Sequence, residues 1–375
     1  MRVAVIGGGV IGLALAWRLT ADQHSVDLFD DRPGHGASRA AAGMLAPSGE
    51  AWFGEEPLLR AGVASLRQWP EFAARLGKDS DVDVGLRTEG TILLGADDAD
   101  AQTLDQADRL LAQHDLAARR IDRRELGRME PAVASGVRRA LLLESDLSVH
   151  NRLLLDALLD AGARRGVTYH RERADVEVSD GRVRGVRGRT SGESHAADVV
   201  VIAAGHELSG VAGLPDRLRG VVRPVKGQIL RLRMPDPLVR RTLRCLLHGD
   251  PVYVVPRLDG ELVVGATSEE LSDHAVTADG VYELLRRSIA FLPGLREAEL
   301  TETLARSRPG TPDNAPIVGE TGVDGLLVAA GHYRGGVLLT PLTAEAISAL
   351  LRDESPPAEV AVLTPSRFNP TPPAE

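Results

Sequence analysis

One cysteine, Cys245, stands in a chain of 375 residues. No intramolecular disulfide framework is possible, so the fold must rest on its core. Aromatic residues make up only 3% of the chain; alanine and aliphatic side chains must therefore fill that core. No apolar run approaches the roughly 18 residues that suggest a membrane-spanning helix. The amino terminus shows no charged region, long apolar stretch and small-residue cleavage site of a secretory signal. A cytoplasmic protein with no membrane partner is the expectation. Net positive charge is also missing: the formal charge is -9 and the pI about 5.7. Nucleic acid is not an expected partner, because that role needs a basic face. The histidines show no metal-ligand spacing, and no metal is expected.

What is present is ordinary for a globular chain, with 43% hydrophobic and 26% charged residues. The length exceeds what one core commonly holds, which points to two domains.

The chain opens with MRVAVIGGGVIGLALAWRL. An apolar run, Val3 to Ile6, suits a parallel strand buried on both faces. Gly7, Gly9 and Gly12 then supply the G-x-G-x-x-G spacing. Gly7 allows a sharp turn, Gly9 lets backbone approach a pyrophosphate, and Gly12 lets the helix pack close to the strand. The helix that starts at Val10 and Ile11 presents free N–H groups and a partial positive charge to a diphosphate. A second strand, SVDLFDD, ends in acid about 20 residues later, where a ribose hydroxyl needs a carboxylate acceptor. Asp30 fits that place by strand-end arithmetic, with Asp31 its rival. A dinucleotide site follows. An acid here argues against a 2'-phosphate and hence against NADP. The next stretch, GHGASRAAAGMLAP, favours FAD over NAD: a loop of small residues can run beneath a flat ring system and touch it through backbone.

Further on, a helix is expected near Leu58 to Leu76, a strand in LRTEGTILLGADD, and helices over Ala99 to Gln113 and in RRELGRMEP. An amphipathic helix follows, capped by Asn151. ADVEVSDGRVRGVRGR reads as a hairpin turning at Asp180-Gly181. Val199 to Ala203 form another apolar strand, which ends at Ala204-Gly205 where backbone could approach a ligand. From Val221 to Thr303 the pattern becomes antiparallel sheet with one helix, Ala278 to Phe291. A last strand, Gly325 to Ala330, leads through GHYRGG to a helix with Thr340 as N-cap and Pro341 at N1. The expected fold is α/β. A Rossmann-like FAD-binding domain on a mixed or parallel sheet comprises 1–85, 145–220 and 305–352. An inserted α+β substrate domain on an antiparallel sheet comprises 86–144 and 221–304. A Pro-rich, loosely ordered tail covers 353–375.

GGGVIG, SRAAAGML, VYVVPR with GELVVGAT, SRPGTPDNAPIVG and GHYRGGVLL occur together. In combination they resemble FAD-dependent amine oxidases of the D-amino-acid oxidase and sarcosine oxidase class, most of all the glycine oxidases of thiamine biosynthesis. The resemblance runs from Met1 to about Leu351. It implies oxidation of glycine, sarcosine or small D-amino acids to the imine and then glyoxylate or another oxo acid. O2 would be reduced to H2O2, and the imine of glycine would supply the thiazole of thiamine. A dehydrogenase passing electrons to another acceptor is the alternative. Related enzymes suggest a homo-oligomer. Arg334 matches a carboxylate-binding arginine, Arg308 a second arginine over the flavin, and Tyr253 a tyrosine whose hydroxyl meets the substrate carboxylate. No residue is marked as a certain catalytic base; Arg334 and Tyr253 would act by orienting the substrate. Val10, Ile11, Asp30, Asp31, Ala37, Ser38, Ala42, Gly43 and Met44 match cofactor-contacting positions, and Val176 a backbone contact to adenine. His332, Tyr333, Arg334, Gly335, Gly336, Val337 and Leu338 match a stretch lining the isoalloxazine. Cys245 does not resemble the flavin-linking cysteine of sarcosine oxidases, so noncovalent FAD is expected. Position 39 is Arg where small residues are common.

The resemblance also gives a reading of the glycine-rich turn that holds an arginine between two apolar runs. A zwitterionic substrate needs a fixed cation, and the planar fork of arginine grips a carboxylate by two hydrogen bonds. Arg306 lies two residues from Arg308 and is its rival; the following Pro-Gly turn favours Arg308.

Overall fold

The computed structural model describes residues 1–368. Its first sheet has six strands in the order Ile317–Glu320, Leu326–Ala330, Val199–Ile202, Arg2–Ile6, Ser25–Phe29 and Thr168–His170. The first pair is antiparallel and the rest are parallel. Period-two alternation sends Val3, Val5, Val201, Leu327 and Ala329 into one core. Ala4, Ile6, Val200, Ile202 and Val328 enter a second core on the opposite face. Helices Val10–Ala21, Asn151–Arg164 and Thr340–Leu351 cover the first face. A three-stranded antiparallel sheet, Ala174–Ser179, Arg182–Gly188 and Ser194–Ala196, packs on the second. Its turn is at Asp180-Gly181, both at positive φ, as the sequence predicts.

The second sheet has eight strands: Glu299–Gly310, Arg223–Arg233, Glu261–Gly265, Asp250–Pro256, Thr242–Leu247, Thr91–Gly95, Arg139–Leu143 and Arg119–Arg120. All its pairings are antiparallel except one: Thr242–Leu247 runs parallel to Thr91–Gly95. That pair joins the segment before helix Asn151–Arg164 to a segment after it. Helix Ala278–Phe291 closes the far face, capped by Thr277, whose hydroxyl accepts the Gly280 N–H at 3.1 Å.

Two expectations change at helix ends. His150, not Asn151, caps helix Asn151–Arg164, its Nδ1 accepting the Leu153 N–H at 3.3 Å. The last long helix begins at Thr340 itself, with Leu339 as its cap. Asn151 is fully buried and does other work. Its Nδ2 donates to the carbonyls of Ser38 and Arg39 at 2.9 and 3.0 Å, and its Oδ1 accepts Arg231 at 3.1 Å. Buried Arg257 donates to the carbonyls of Val149 and Ala42 at 2.9 and 2.6 Å. Burial, reinforced by the charge of Arg231, lowers Arg257 to about 10. Asn151 from the helix and Arg257 from the end of a second-sheet strand thus satisfy carbonyls of the small-residue loop and fix it between the two sheets.

The expected loose tail is corrected as far as Phe368. A short helix, Ala358–Ala361, and a turn, Pro365–Phe368, pack back on the domain. Val360 and Leu363 are buried in the first core, and Arg367 grips Asp313 at 2.8 Å. The part of that tail from 369 to 375 lies outside the described residues.

Candidate active site

The fingerprint turn forms because three groups hold it. The Gly7 N–H donates to the Phe29 carbonyl at 2.9 Å, and Gly7 sits at φ +108°. The Asp30 carboxylate accepts the N–H of Gly8 at 2.6 Å and of Arg32 at 2.7 Å. The Ser38 hydroxyl accepts the Val10 N–H at 3.0 Å. Burial outweighs those bonds and raises the pKa of Asp30. Each Asp30 oxygen keeps acceptor capacity for a hydroxyl.

A cavity of about 920 Å³ starts at this turn and runs between the two sheets. It brings together most of the residues singled out in the sequence. Gly7, Gly9, Val10, Ile11, Asp30, Asp31, Ala37, Ser38, Ala42, Gly43, Met44 and Gly205 line one part; Tyr253, Arg308, His332, Tyr333, Arg334, Gly336 and Val337 line the other. Four residues do not line it. Gly12 lies under the turn, where a Cβ would overlap the Gly7 carbonyl. Gly335 spends its N–H on the His332 carbonyl at 2.9 Å. Leu338 is core, its carbonyl accepting Ser65 Oγ at 2.6 Å and Trp69 Nε1 at 2.9 Å. Val176 is buried, and its N–H is taken by the Ala212 carbonyl at 2.9 Å; Ala174, two residues earlier on the same strand, lines the cavity instead.

Two of the lining residues, Arg308 and Tyr253, are given room by glycines opposite them. A Cβ on Gly227 would strike the Arg308 guanidinium, and one on Gly265 the Tyr253 ring. Tyr253 and Gly265 are cross-strand partners, so the ring lies flat across the strand and its edge reaches the cavity. Among the described residues Arg308 donates only to the Thr267 carbonyl, at 3.1 Å. Arg334 is exposed in the cavity, its guanidinium 4.8 Å from the Tyr333 ring centroid. Among the described residues neither arginine pairs with an acid. Burial raises the pKa of Tyr253, so its hydroxyl stays a donor across the working range. Among the described residues the His332 ring shares a hydrogen bond only with Thr343 Oγ1, at 3.0 Å, and burial lowers its pKa to about 3. It is a neutral side chain there and a poor base. Gly336 and Val337 line the cavity directly after the Tyr333–Gly335 turn.

Sequence reasoning missed a further group at this end. Arg244, the cross-strand partner of Tyr253, holds Glu50 at 2.8 Å, and both line the cavity with Trp52 and Phe53. No local pattern marks these residues; they meet only through the fold. Behind them Asp146 is fully buried. One of its oxygens accepts the Gly49 N–H at 3.2 Å, and the other faces the Thr91 hydroxyl without a formed hydrogen bond. Burial raises Asp146 to about 7, with Arg244 pulling the other way.

A pH effect follows from that proton. The folded chain keeps it up to about 7, whereas the unfolded chain releases it near the ordinary aspartate value of 3.8. Asp146 therefore removes stability as pH rises through this interval. His332 works oppositely, since the unfolded chain takes up a proton near 6.5 that the folded chain refuses until about 3. The difference between wild type and Asp146→Asn isolates the aspartate. The two proteins should match near about pH 4, and the variant should be more stable by roughly 1–4 kcal/mol at about pH 8. Urea midpoints read this directly; a gap that does not widen with pH removes Asp146 from the titrating groups.

A turn that would clash with any side chain at Gly7, an acid at the end of the second strand and a floor of small residues fit a dinucleotide with a flat ring. Fold and site together define a dinucleotide-dependent enzyme. The chain belongs to the DAO family of FAD-dependent oxidoreductases, whose profile matches residues 2–350. It is 32% identical to a glycine oxidase of Geobacillus kaustophilus, over 97% of this chain and 96% of that one. It is 33% identical to an oxidoreductase of Rhizobium etli named for thiamine biosynthesis, ThiO, over 95% and 98%. The crystal structure of the glycine oxidase from Geobacillus kaustophilus superimposes with a TM-score of 0.87, covering 97% of this chain and 98% of that one. Among the described residues no helix is long and apolar enough to cross a membrane.

Proposed function

We propose that this protein oxidises glycine, and also sarcosine and small D-amino acids, by oxidative deamination. For glycine the balance is glycine, O2 and water giving glyoxylate, ammonia and H2O2. The observation that carries the reading is the pair of unpaired arginines, Arg308 and Arg334, beside the Tyr253 hydroxyl on one wall of the cavity. Noncovalent FAD, when bound, supplies the two-electron oxidation of the amine. Gly7, Gly9, Val10, Ile11, Asp30 and Ser38 would hold its diphosphate and ribose, Ala174 its adenine through backbone, and Ala42, Gly43, Met44 and the 332–337 turn its ring.

The chain's own residues fix the substrate. Arg334 donates to both carboxylate oxygens, and Arg308 and Tyr253 donate to the same group. This leaves the α-carbon and the amine facing the cavity floor in one orientation, which is the main contribution such a site can make without a base. His332 keeps the turn in place by its bond to Thr343 and moves no proton. A cytoplasmic homo-oligomer is part of the reading, and the name of the Rhizobium relative supports supply of an imine for the thiazole of thiamine.

The test is spectroscopic. Purified protein should show a flavin band near about 450 nm, a property the cofactor brings, and glycine added without air should bleach it. Readmitted air should then yield H2O2. Bleaching without peroxide would make it a dehydrogenase; a yellow protein that no small amine bleaches would overturn the substrate assignment.

A further inference from the structure

Most arginines lining the cavity have a partner or a role. Arg173 is held by Asp31 at 3.3 Å and Glu207 at 3.0 Å. Arg189 is held by Asp175 at 2.7 Å, and Arg244 by Glu50 at 2.8 Å. Arg308 and Arg334 stand at the substrate end. Arg32 and Arg306 remain, with Arg39, whose charge reaches Arg306 and whose chain neighbour Ser38 lines the cavity. Among the described residues none of these three forms an ion pair. Arg306 donates only to carbonyls, of His35 at 3.3 Å and Ala305 at 2.7 Å. The acid nearest in sequence, Glu302, is bound to Arg152 at 2.6 Å and lies 3.8 Å from Arg231. Burial, and then the like charges of Arg32 and Arg39, push the Arg306 guanidinium below its usual pKa.

Gathering like charges in a partly desolvated place costs free energy unless an anion sits among them. Their position names the anion. Arg32 follows the acid that holds the turn, with its own N–H on Asp30. Arg39 follows Ser38, whose hydroxyl sits on the first N–H of the fingerprint helix. Arg306 ties its strand to the segment between them through the His35 carbonyl. The three thus bracket the helix terminus that receives a diphosphate.

We propose that Arg32, Arg39 and Arg306 form a cationic clasp for the diphosphate of FAD, adding side-chain charge to the backbone of the fingerprint turn. The proposal rests on the FAD reading but assigns residues which that reading leaves unused.

The experiment follows FAD leaving the holoprotein, by the fluorescence gained on release, and titrates FAD and riboflavin back. Arg39→Ser combined with Arg306→Gln should weaken FAD binding roughly ten- to hundredfold and leave riboflavin, which has no phosphate, within about twofold of wild type by the same arithmetic. Salt should speed FAD release from wild type and do so much less in the double variant, because the charges it screens are gone. Arg306→Lys should recover part of the loss. The exposed Arg32→Gln tests the clasp if the double variant does not fold. Equal FAD affinity in variant and wild type overturns the clasp, as does an equal loss for riboflavin. Inorganic phosphate that raises the melting temperature of the FAD-loaded wild type, but not of the variant, would make this a free-phosphate site and overturn it too. A wild-type protein that binds no FAD would instead overturn the reading beneath it.

Discussion

Replacing Arg334 with alanine is expected to raise the KM for glycine at least about a hundredfold, with FAD retained. Among the described residues the side chain makes no hydrogen bond; its guanidinium lies over the ring of Tyr333. Its removal therefore leaves no carboxylate orphaned and costs the fold little. The loss falls on the substrate instead. A charge-assisted contact to a carboxylate is worth about 1.5–3 kcal/mol, and the planar fork of arginine makes two of them. At about 1.4 kcal/mol for each factor of ten this reaches a hundredfold. Arg334→Lys should recover only part of it, since a point charge lacks the fork. Steady-state kinetics with the visible spectrum as control decide the matter. A KM within about threefold of wild type, on a scale where such a change is under 1 kcal/mol, would take Arg334 out of the substrate site.

That arginine was legible in the sequence because its surroundings were local. An apolar strand, a glycine turn and a helix start all lie within one short stretch, and the turn emerges at the carboxyl end of a parallel strand. The fingerprint was legible for the same reason. Elsewhere the pattern does not single out the residue that the fold brings to the cavity. Val176 and Ala174 lie on one face of one strand, so alternation cannot tell them apart; only the end of the strand that meets the cavity does. Thr242–Leu247 was not marked as a strand, and its parallel partner Thr91–Gly95 lies far back in the chain. Asn151 reads as a cap from its neighbours alone, yet it is claimed by Ser38, Arg39 and Arg231. Glu50 and Arg244 have no signal of their own, because their pairing is a product of the closed fold. The tail reads as loose by composition, but two buried side chains, Val360 and Leu363, suffice to dock it.

The glycines of the fingerprint should separate folding from binding. An alanine at Gly12 would gain up to about 1 kcal/mol of helix propensity, but its Cβ would overlap the backbone carbonyl of Gly7. Backbone cannot step aside as a side-chain tip can, and overpacking of this kind costs typically about 1–3 kcal/mol or more. The clash wins, and it acts on the turn itself. Gly12→Ala should lower the melting temperature by several degrees and abolish FAD retention together. Gly9 is different. Its φ of -75° and ψ of -178° suit any residue, and a Cβ there would meet only Ser38 Oγ, at an ordinary 3.5 Å. The methyl would project toward the cavity, at the helix terminus where a phosphate must come close to backbone. Gly9→Ala should therefore melt like wild type yet bind FAD at least about tenfold more weakly. Circular dichroism melts paired with FAD fluorescence read both. A Gly9→Ala protein that holds FAD as tightly as wild type would move the diphosphate away from this turn, and a Gly12→Ala protein that melts normally would show that the strand–helix contact can open without cost.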